Sequence, residues 1–478
     1  MTISTRDGIA VLTIANPPVN ALGPSAIAPL LEALEAAQRD AEVHGVVLHG
    51  ANGTFSGGAD MRTFGIDPPQ RPYTLDLIDA LEASAKPIVA AIEGNAMGGG
   101  LEVALACDYR IAAPAARLAF PEIKRGLLPG AGGTQRAPRV AGARAALDLI
   151  LSGDPIDGGR AKAIGLVDQV AADPLAAAYA LARTLAGAPR RRVSEMNTEA
   201  DDRAIAEARS KAQPADRGGL AEHRAIDCVA DAMNLPFAEG LARERARFRT
   251  LVESEQSKAR IHLFFAEREA AKLPDGSAPA PFSVRTAAIV GAGTMGIGIA
   301  MSCANAGIDV TLIDLKPDLL ERARGIIASN YESTLKKGRL TQAELDARVA
   351  RIRFATSLDG AAGVDLVIEA VFEEMGVKQD VFRALDRIVR ADTVLASNTS
   401  TLDIDAIAGA TSRPADFVGM HFFSPANVMK LLEIVRGTRT SSETLGKAIA
   451  IAKQLEDPGR GWKLRRLHRQ PDAVQIPA

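Results

Sequence analysis

TAAIVGAGTMGIGIAMSCANAGIDVTLID, residues 286–314, decides how the second half of this chain folds. TAAIV is a short apolar run of the length of a buried strand. GAGTMG follows at once and sets Gly291, Gly293 and Gly296 in a G-x-G-x-x-G pattern, with Met295 between the last two. A helical run, IGIAMSCANAG, comes next, and then a second strand, VTLID, ending on Asp314. Each part has a mechanical reason. The glycines permit a tight turn and let the backbone approach a pyrophosphate, and the free N–H groups opening the helix favour an anion. An acid about 20 residues further on can bind a ribose 2′-hydroxyl and disfavours a 2′-phosphate, so Asp314 selects NAD over NADP as cofactor. A glycine pattern alone occurs in many turns; strand, glycines, helix, strand and acid in register are specific.

Outward from this unit the chain changes character twice. KLPDGSAPAPFS (272–283) is a Pro/Gly/Ser linker, the clearest boundary in the sequence. Before it, residues 191–282 are rich in Arg, Glu and Ala with helical spacing and read as a helical connector. Residues 1–190 alternate short apolar strands (8–15, 43–49, PIVAAIEG from Pro87) with helices (25–39, and LEVALACDYRIAA from Leu101), which predicts an α/β fold. Residues 283–456 form the dinucleotide-binding unit, and 457–478 a basic tail. No internal repeat is present.

The 478 residues suffice for about three domains. A net charge of −2 offers no field for nucleic acid or an anionic membrane. Cys107, Cys228 and Cys303 have no metal-ligand spacing and fit buried thiols in a reducing compartment. No apolar run reaches the ~18 residues of a membrane helix, and the first residues read as strand and turn, not as a signal. The end, QIPA, is not a peroxisomal Ser-Lys-Leu tail, so the expected location is cytoplasmic. A metal is not expected, and the oligomeric state stays open.

Later in the second unit, VDLVIEAVFE (364–373) reads as a buried strand. VLASNTSTL (394–402) and FVGMHFFSPANVMKLLEIV (417–435) follow. His421 ends one apolar run and Glu433 lies on the next. Oxidising an alcohol needs a base for the hydroxyl proton; a histidine serves near neutral pH, and a carboxylate fixes its orientation. Taken alone, a histidine before two phenylalanines is more often structural.

The first unit carries two glycine-rich turns, FSGGAD (55–60) and GNAMGGGLE (94–102). Glycine lets a backbone N–H face a ligand with no Cβ in the way, and two such groups can form an oxyanion hole for a thioester enolate. Glu102 and Glu122 follow. Paired carboxylates can divide the work of adding water to an enoyl thioester, one taking a proton from water and one supplying a proton to carbon. On spacing alone, solvated glutamates are the commoner case.

Over residues 5–190 these motifs, with PPVNAL (17–22), FPEIKRGLLPGAGGTQR (120–136) and the run at 152–168, resemble the crotonase or enoyl-CoA hydratase family. That resemblance implies a ββα-spiral domain with the N–H groups of Gly57 and Gly99 as oxyanion hole. It implies Glu102 and Glu122 as acid/base pair, and Ala59 and Met61 near the adenine of coenzyme A. From Val284 to Leu455 the chain resembles the 3-hydroxyacyl-CoA dehydrogenase family through its glycine fingerprint and the Ser-Asn-Thr-Ser, HFFSP and KLLEI runs. This implies a Rossmann-type unit with His421 as base, Glu433 as its partner, Ser400 on the substrate oxygen and Glu369 lining the NAD site. YESTLKKGRL (331–340) matches a coenzyme-A-contacting hairpin, though its lysines fit a solvated face equally well. The order of units resembles multifunctional β-oxidation enzymes, whose sequence of steps hydrates trans-2-enoyl-CoA and oxidises the L-3-hydroxyacyl-CoA with NAD. An enoyl isomerase with a vestigial second half, and a non-catalytic acyl-CoA and NAD binder, are the rivals.

The tail DPGRGWKLRRLHRQPDAVQIPA departs from the dehydrogenase family, which continues with a strand and a helical domain. It is basic, holds the single Trp462 and shows no strand pattern. Codons for Asp457 to Asp472 can be chosen that, read one base later, spell IPVVVGNCDGFIGNRM, the continuation the family has. The tail therefore reads as a frameshift near Leu455. The expectation is a dehydrogenase half without its helical C-terminal domain and impaired in oxidation, beside an intact hydratase.

Overall fold

The computed structural model describes residues 3–60, 71–429 and 431–455, and the backbone of 463–468. The chain divides into two compact units, Met1–Leu263 and Phe264–Ala478.

The first unit opens on a hairpin. β1 (Ile3–Arg6) and β2 (Ile9–Ile14) pair antiparallel across Asp7 and Gly8, both at positive φ as a two-residue hairpin turn requires. α1 (Pro24–Arg39), β3 (Gly45–Gly50), α2 (Thr74–Ala83) and β4 (Ile88–Ile92) follow. Every residue of β4 is buried, which is why IVAAI is an unbroken apolar run and not an alternating one. Next come β5 (Asn95–Met97), α3 (Gly99–Leu105), β6 (Tyr109–Ala112), β7 (Arg117–Ala119) and a 3₁₀ turn, Pro121–Arg125. α4 (Gly133–Ser152), α5 (Gly158–Ala163), β8 (Gln169–Val170) and α6 (Pro174–Thr184) complete the α/β layers. The main sheet has the order β1-β2-β3-β4-β6-β8, parallel beyond the first pair, and β5 and β7 form a small parallel sheet of their own.

Two expectations change here. LEVALACDYRIAA is not one helix: it stops at Leu105, and Tyr109–Ala112 pairs with β4. Asp108 marks the change, accepting the Ile88 N–H at 2.7 Å at the edge of that strand. The connector is also not a separate piece. α7 (Asp202–Lys211), α8 (Leu220–Asn234) and α9 (Phe237–Glu253) belong to the first unit. Ala221, Ala225, Ile226 and Val229 on α8 recur at helical spacing and are buried in the same core as Leu147 and Ile150 of α4. The divide between the units falls within α10 (Glu255–Ala270).

In the second unit β9 (Thr286–Val290), α11 (Thr294–Asn305), β10 (Asp309–Ile313), α12 (Pro317–Lys336), α13 (Gln342–Ala350) and β11 (Ile352–Ala355) form the first half. β12 (Leu366–Glu369), α14 (Met375–Leu385), β13 (Val394–Ser397), α15 (Ile404–Ala408), β14 (Phe417–Phe422), β15 (Leu431–Arg436) and α16 (Ser442–Gln454) form the second. The sheet runs β11-β10-β9-β12-β13-β14-β15-β16, where β16 is Lys463–His468. Ala287 and Ile289 face one core and Ala288 and Val290 the other, so helices cover both faces of β9. Strand order reverses between β9 and β12, which opens a crevice at their carboxyl ends. β14 and β15 pair antiparallel.

The tail corrects a third expectation. Its backbone forms β16, parallel to β15 from Leu431↔Lys463 to Arg436↔His468. Backbone pairing at an open sheet edge needs no alternation of side chains, so the basic composition concealed it. The rest of the tail lies outside the described residues. Among the described residues no helix is long and apolar enough to cross a membrane.

Candidate functional site

Three glutamates meet around the loop that opens α4. Glu102, on α3, is buried, and its Oε1 accepts the N–H of Ala131 at 2.7 Å and of Gly133 at 2.8 Å. Burial pushes its carboxyl up from 4.5 to about 7, against the pull of those two N–H groups. Glu122 stands on the 3₁₀ turn; its Oε2 is buried and has no hydrogen-bond partner among the described residues. Burial, and then the charge of Glu102, push it up to about 8. Its carboxyl lies against the backbone of Gly98, where a Cβ would come 2.4 Å from Oε1 and the φ of +52° already disfavours a side chain. The third is Glu244, on α9. It is buried, accepts the N–H of Gly132 at 2.7 Å and of Thr134 at 3.0 Å, and takes the Thr134 hydroxyl as well. No motif or spacing in the sequence marks it. Among the arginines of FAEGLARERARF it reads as one more solvated charge.

The backbone donors differ from expectation at one residue. The Gly57 N–H donates to the Val19 carbonyl at 2.6 Å, so it is not free for a ligand. Two residues on, the Ala59 nitrogen lies 3.2 Å from where a Cβ on Gly99 would stand. Neither the Ala59 nor the Gly99 N–H has a hydrogen-bond partner among the described residues. The free pair is therefore Ala59 and Gly99, which share the mouth of α3. Met61, expected beside the adenine, lies outside the described residues.

In the second unit the three glycines differ in what surrounds them. A Cβ on Gly291, at φ +107°, would meet the Ala370 carbonyl oxygen at 2.6 Å. A Cβ on Gly296 would fall 1.8 Å from the Gly291 oxygen, so the helix packs directly on the turn. Gly293, which caps α11, has nothing within 4 Å of its Cβ position. That open cradle before free N–H groups suits a pyrophosphate. Met295 is half-buried on the first turn of α11. Asp314 follows β10, and its carboxylate accepts the Ala292 N–H at 2.9 Å and the Lys316 N–H at 3.0 Å, which ties the acid to the glycine turn. These residues fit NAD.

His421 and Glu433 are direct cross-strand partners on β14 and β15, with Nδ1 2.9 Å from Oε2. Ser400 is exposed on the loop after β13; its N–H and hydroxyl approach Glu373 Oε1 at 2.8 and 3.3 Å. Glu369 departs from expectation. It is wholly buried, and its oxygens accept Lys378 Nζ at 2.7 Å, the Val371 N–H at 2.7 Å and the Ser397 hydroxyl at 2.6 Å. It therefore holds the end of β12 together and does not line a cofactor surface. Lys378 also reaches Glu373 at 3.1 Å, so this buried pair underlies the Ser400 loop. On the α12–α13 hairpin Tyr331 is buried, while Lys336 and Lys337 are exposed.

Residues 4–227 match the family model Enoyl-CoA hydratase/isomerase, and residues 286–458 match 3-hydroxyacyl-CoA dehydrogenase, NAD binding domain. Each half of the chain thus matches one of these two families. Its hydratase/isomerase and NAD-binding units occur in the same order in longer relatives. The peroxisomal bifunctional enzyme of Danio rerio is 43% identical over 461 residues, 94% of this chain and 63% of its own length. The human protein of the same name is 38% identical over 468 residues, 95% of this chain and 64% of its own length. The glyoxysomal fatty acid beta-oxidation multifunctional protein MFP-a of Cucumis sativus is 35% identical over 469 residues, 94% and 65%. This chain thus spans 63% to 65% of the length of these relatives. Their names place them in peroxisomes or glyoxysomes, a different compartment from the cytoplasm expected on sequence alone.

Proposed function

We propose that the first unit adds water across trans-2-enoyl-CoA thioesters, and that the second binds NAD for oxidation of the resulting L-3-hydroxyacyl-CoA. The observation that carries the reading is the pair of buried carboxylates, Glu102 and Glu122, with a free N–H pair, Ala59 and Gly99, at the head of the same helix. Those N–H groups receive the thioester oxygen and stabilise the enolate as it forms. Glu102, held by two backbone N–H groups, is the carboxylate that takes a proton from water as the oxygen bonds to the β-carbon. Glu122 keeps its proton to a higher pH and delivers it to the α-carbon; its unpartnered Oε2 faces that task. Two carboxylates suit hydration better than an isomerisation, which one proton shuttle completes.

In the second unit Glu433 orients His421 through Nδ1, so that Nε2 takes the hydroxyl proton of the substrate. Gly291, Gly293 and the N-terminus of α11 hold the pyrophosphate, with Asp314 on the adenosine ribose. Bound NAD supplies the hydride acceptor.

Glu102→Gln and Glu122→Gln should each lower kcat for hydration of crotonyl-CoA by about 10²–10⁴. Activity needs Glu102 ionised and Glu122 protonated, so the pair, at about 7 and about 8, gives a bell with both limbs near neutrality. Wild-type kcat in both variants would exclude this pair.

A further inference from the structure

The α4 loop presents four consecutive backbone N–H groups, and two carboxylates divide them alternately. Ala131 and Gly133 donate to Glu102, at 2.7 and 2.8 Å, while Gly132 and Thr134 donate to Glu244, at 2.7 and 3.0 Å. A chain cannot turn one set without turning the other. We propose that Glu244 is a positioning residue of the hydration site: by gripping the Gly132 and Thr134 N–H groups, it aims those of Ala131 and Gly133 at Glu102 and sets when Glu102 ionises. The inference rests on the hydratase reading above and deepens it.

Other contacts of α9 fix the same loop. A Cβ on Gly130 would stand 2.4 Å from the Phe248 ring, and one on Gly240 would stand 2.2 Å from Gln135 Oε1, so side chains of each element pack directly on a glycine of the other. Gln135 in turn donates to the Thr134 hydroxyl at 3.0 Å and to the Cys228 carbonyl at 2.9 Å. Glu244 is itself wholly buried, far from the usual place of a glutamate in a helix of arginines. It also lies beyond residues 4–227, where the family match ends. The titratable and charged groups acting on it or acted on by it are Glu102 from α3, Glu122 from the 3₁₀ turn, Arg136 from α4 and Cys228 from α8. Burial, and then the charge of Glu102, push its carboxyl up to about 8, while Glu102 ionises first with the help of the Ala131 and Gly133 N–H groups.

The test is the pH profile of crotonyl-CoA hydration by the full chain, wild type against Glu244→Gln, with kcat expressed per folded molecule from circular dichroism. The glutamine keeps the shape, removes the charge and turns an N–H₂ towards one of the two N–H donors, Gly132 or Thr134. The expected result is a kcat lower by about tenfold or more from the displaced loop, with KM unchanged. The acid limb, which reports Glu102, should move to higher pH, because misaimed Ala131 and Gly133 N–H groups no longer hold its charged form. A limb that stays in place overturns the inference even if activity falls, since a purely structural residue would lower activity without moving it. If Glu244→Gln does not fold, Thr134→Val serves instead. It removes a hydroxyl donor from Glu244, loosens that group's hold on the loop, and should move the same limb the same way; an unmoved limb again overturns the inference. A wild-type chain that does not hydrate crotonyl-CoA refutes the hydratase reading itself, and this inference with it.

Discussion

Three glutamates gathered at one site, Glu102 and Glu244 buried and Glu122 half-buried, make an acid/base site whose charge state also governs folding. Burial holds Glu102 at about 7 and Glu122 and Glu244 at about 8, against an ordinary 4.5. Between those values the folded chain binds more protons than the unfolded one, so stability falls as pH rises through that window. The contribution is complete below 4.5 and is lost as pH passes about 8. Asp365 and Asp386 act in the opposite sense: hydrogen bonds hold them below their ordinary value, and their share is lost as pH falls through the lowered value. The wild-type Tm should therefore fall between about pH 5.5 and about pH 8.5, and Glu244→Gln, which cannot ionise, should flatten that fall. An equal fall in wild type and variant would mean that Glu244 is charged throughout.

At the scale of the element, the glycine turn after β9 separates two kinds of glycine. Gly296→Ala sets a Cβ 1.8 Å from a backbone oxygen and should lower Tm by about 4 °C or more. Gly293→Ala meets no atom of the protein, so Tm should hold while NADH affinity, read by fluorescence titration, falls by about tenfold. Unchanged NADH affinity in Gly293→Ala would place the pyrophosphate elsewhere. This turn was legible from sequence because every requirement is local: strand, glycines, helix and acid lie within 29 consecutive residues (286–314). The strands around the first site were legible for the same reason, as buried apolar runs. What was not legible depends on contacts between distant residues. Glu244 reaches Gly132 across 112 positions, and nothing in the pattern of α9 says which of its charges turns inward. Gly57 and Ala59 are equal candidates for a donor until the Val19 carbonyl is seen to occupy the first. Glu369 ends a strand at the right place for a cofactor contact, and only the buried Lys378 shows that it faces inward.

For the whole molecule, each unit has its own cores, built from separate sets of residues. Changes confined to one site should leave the other's binding untouched, as distant substitutions act independently. Glu102→Gln should therefore lower hydration by the same factor, about 10²–10⁴, and keep wild-type NADH affinity; a large joint loss would mean that the two units do not fold independently. Every role proposed for the first unit depends on its being a working hydratase. That is tested most directly by incubating the purified full chain with crotonyl-CoA without NAD, following the enoyl absorbance and identifying the product. The expected result is loss of the enoyl signal and formation of L-3-hydroxybutyryl-CoA, with Glu122→Gln as the impaired control. A folded wild-type chain that leaves crotonyl-CoA unchanged, or that loses nothing when Glu122 is replaced, would contradict it.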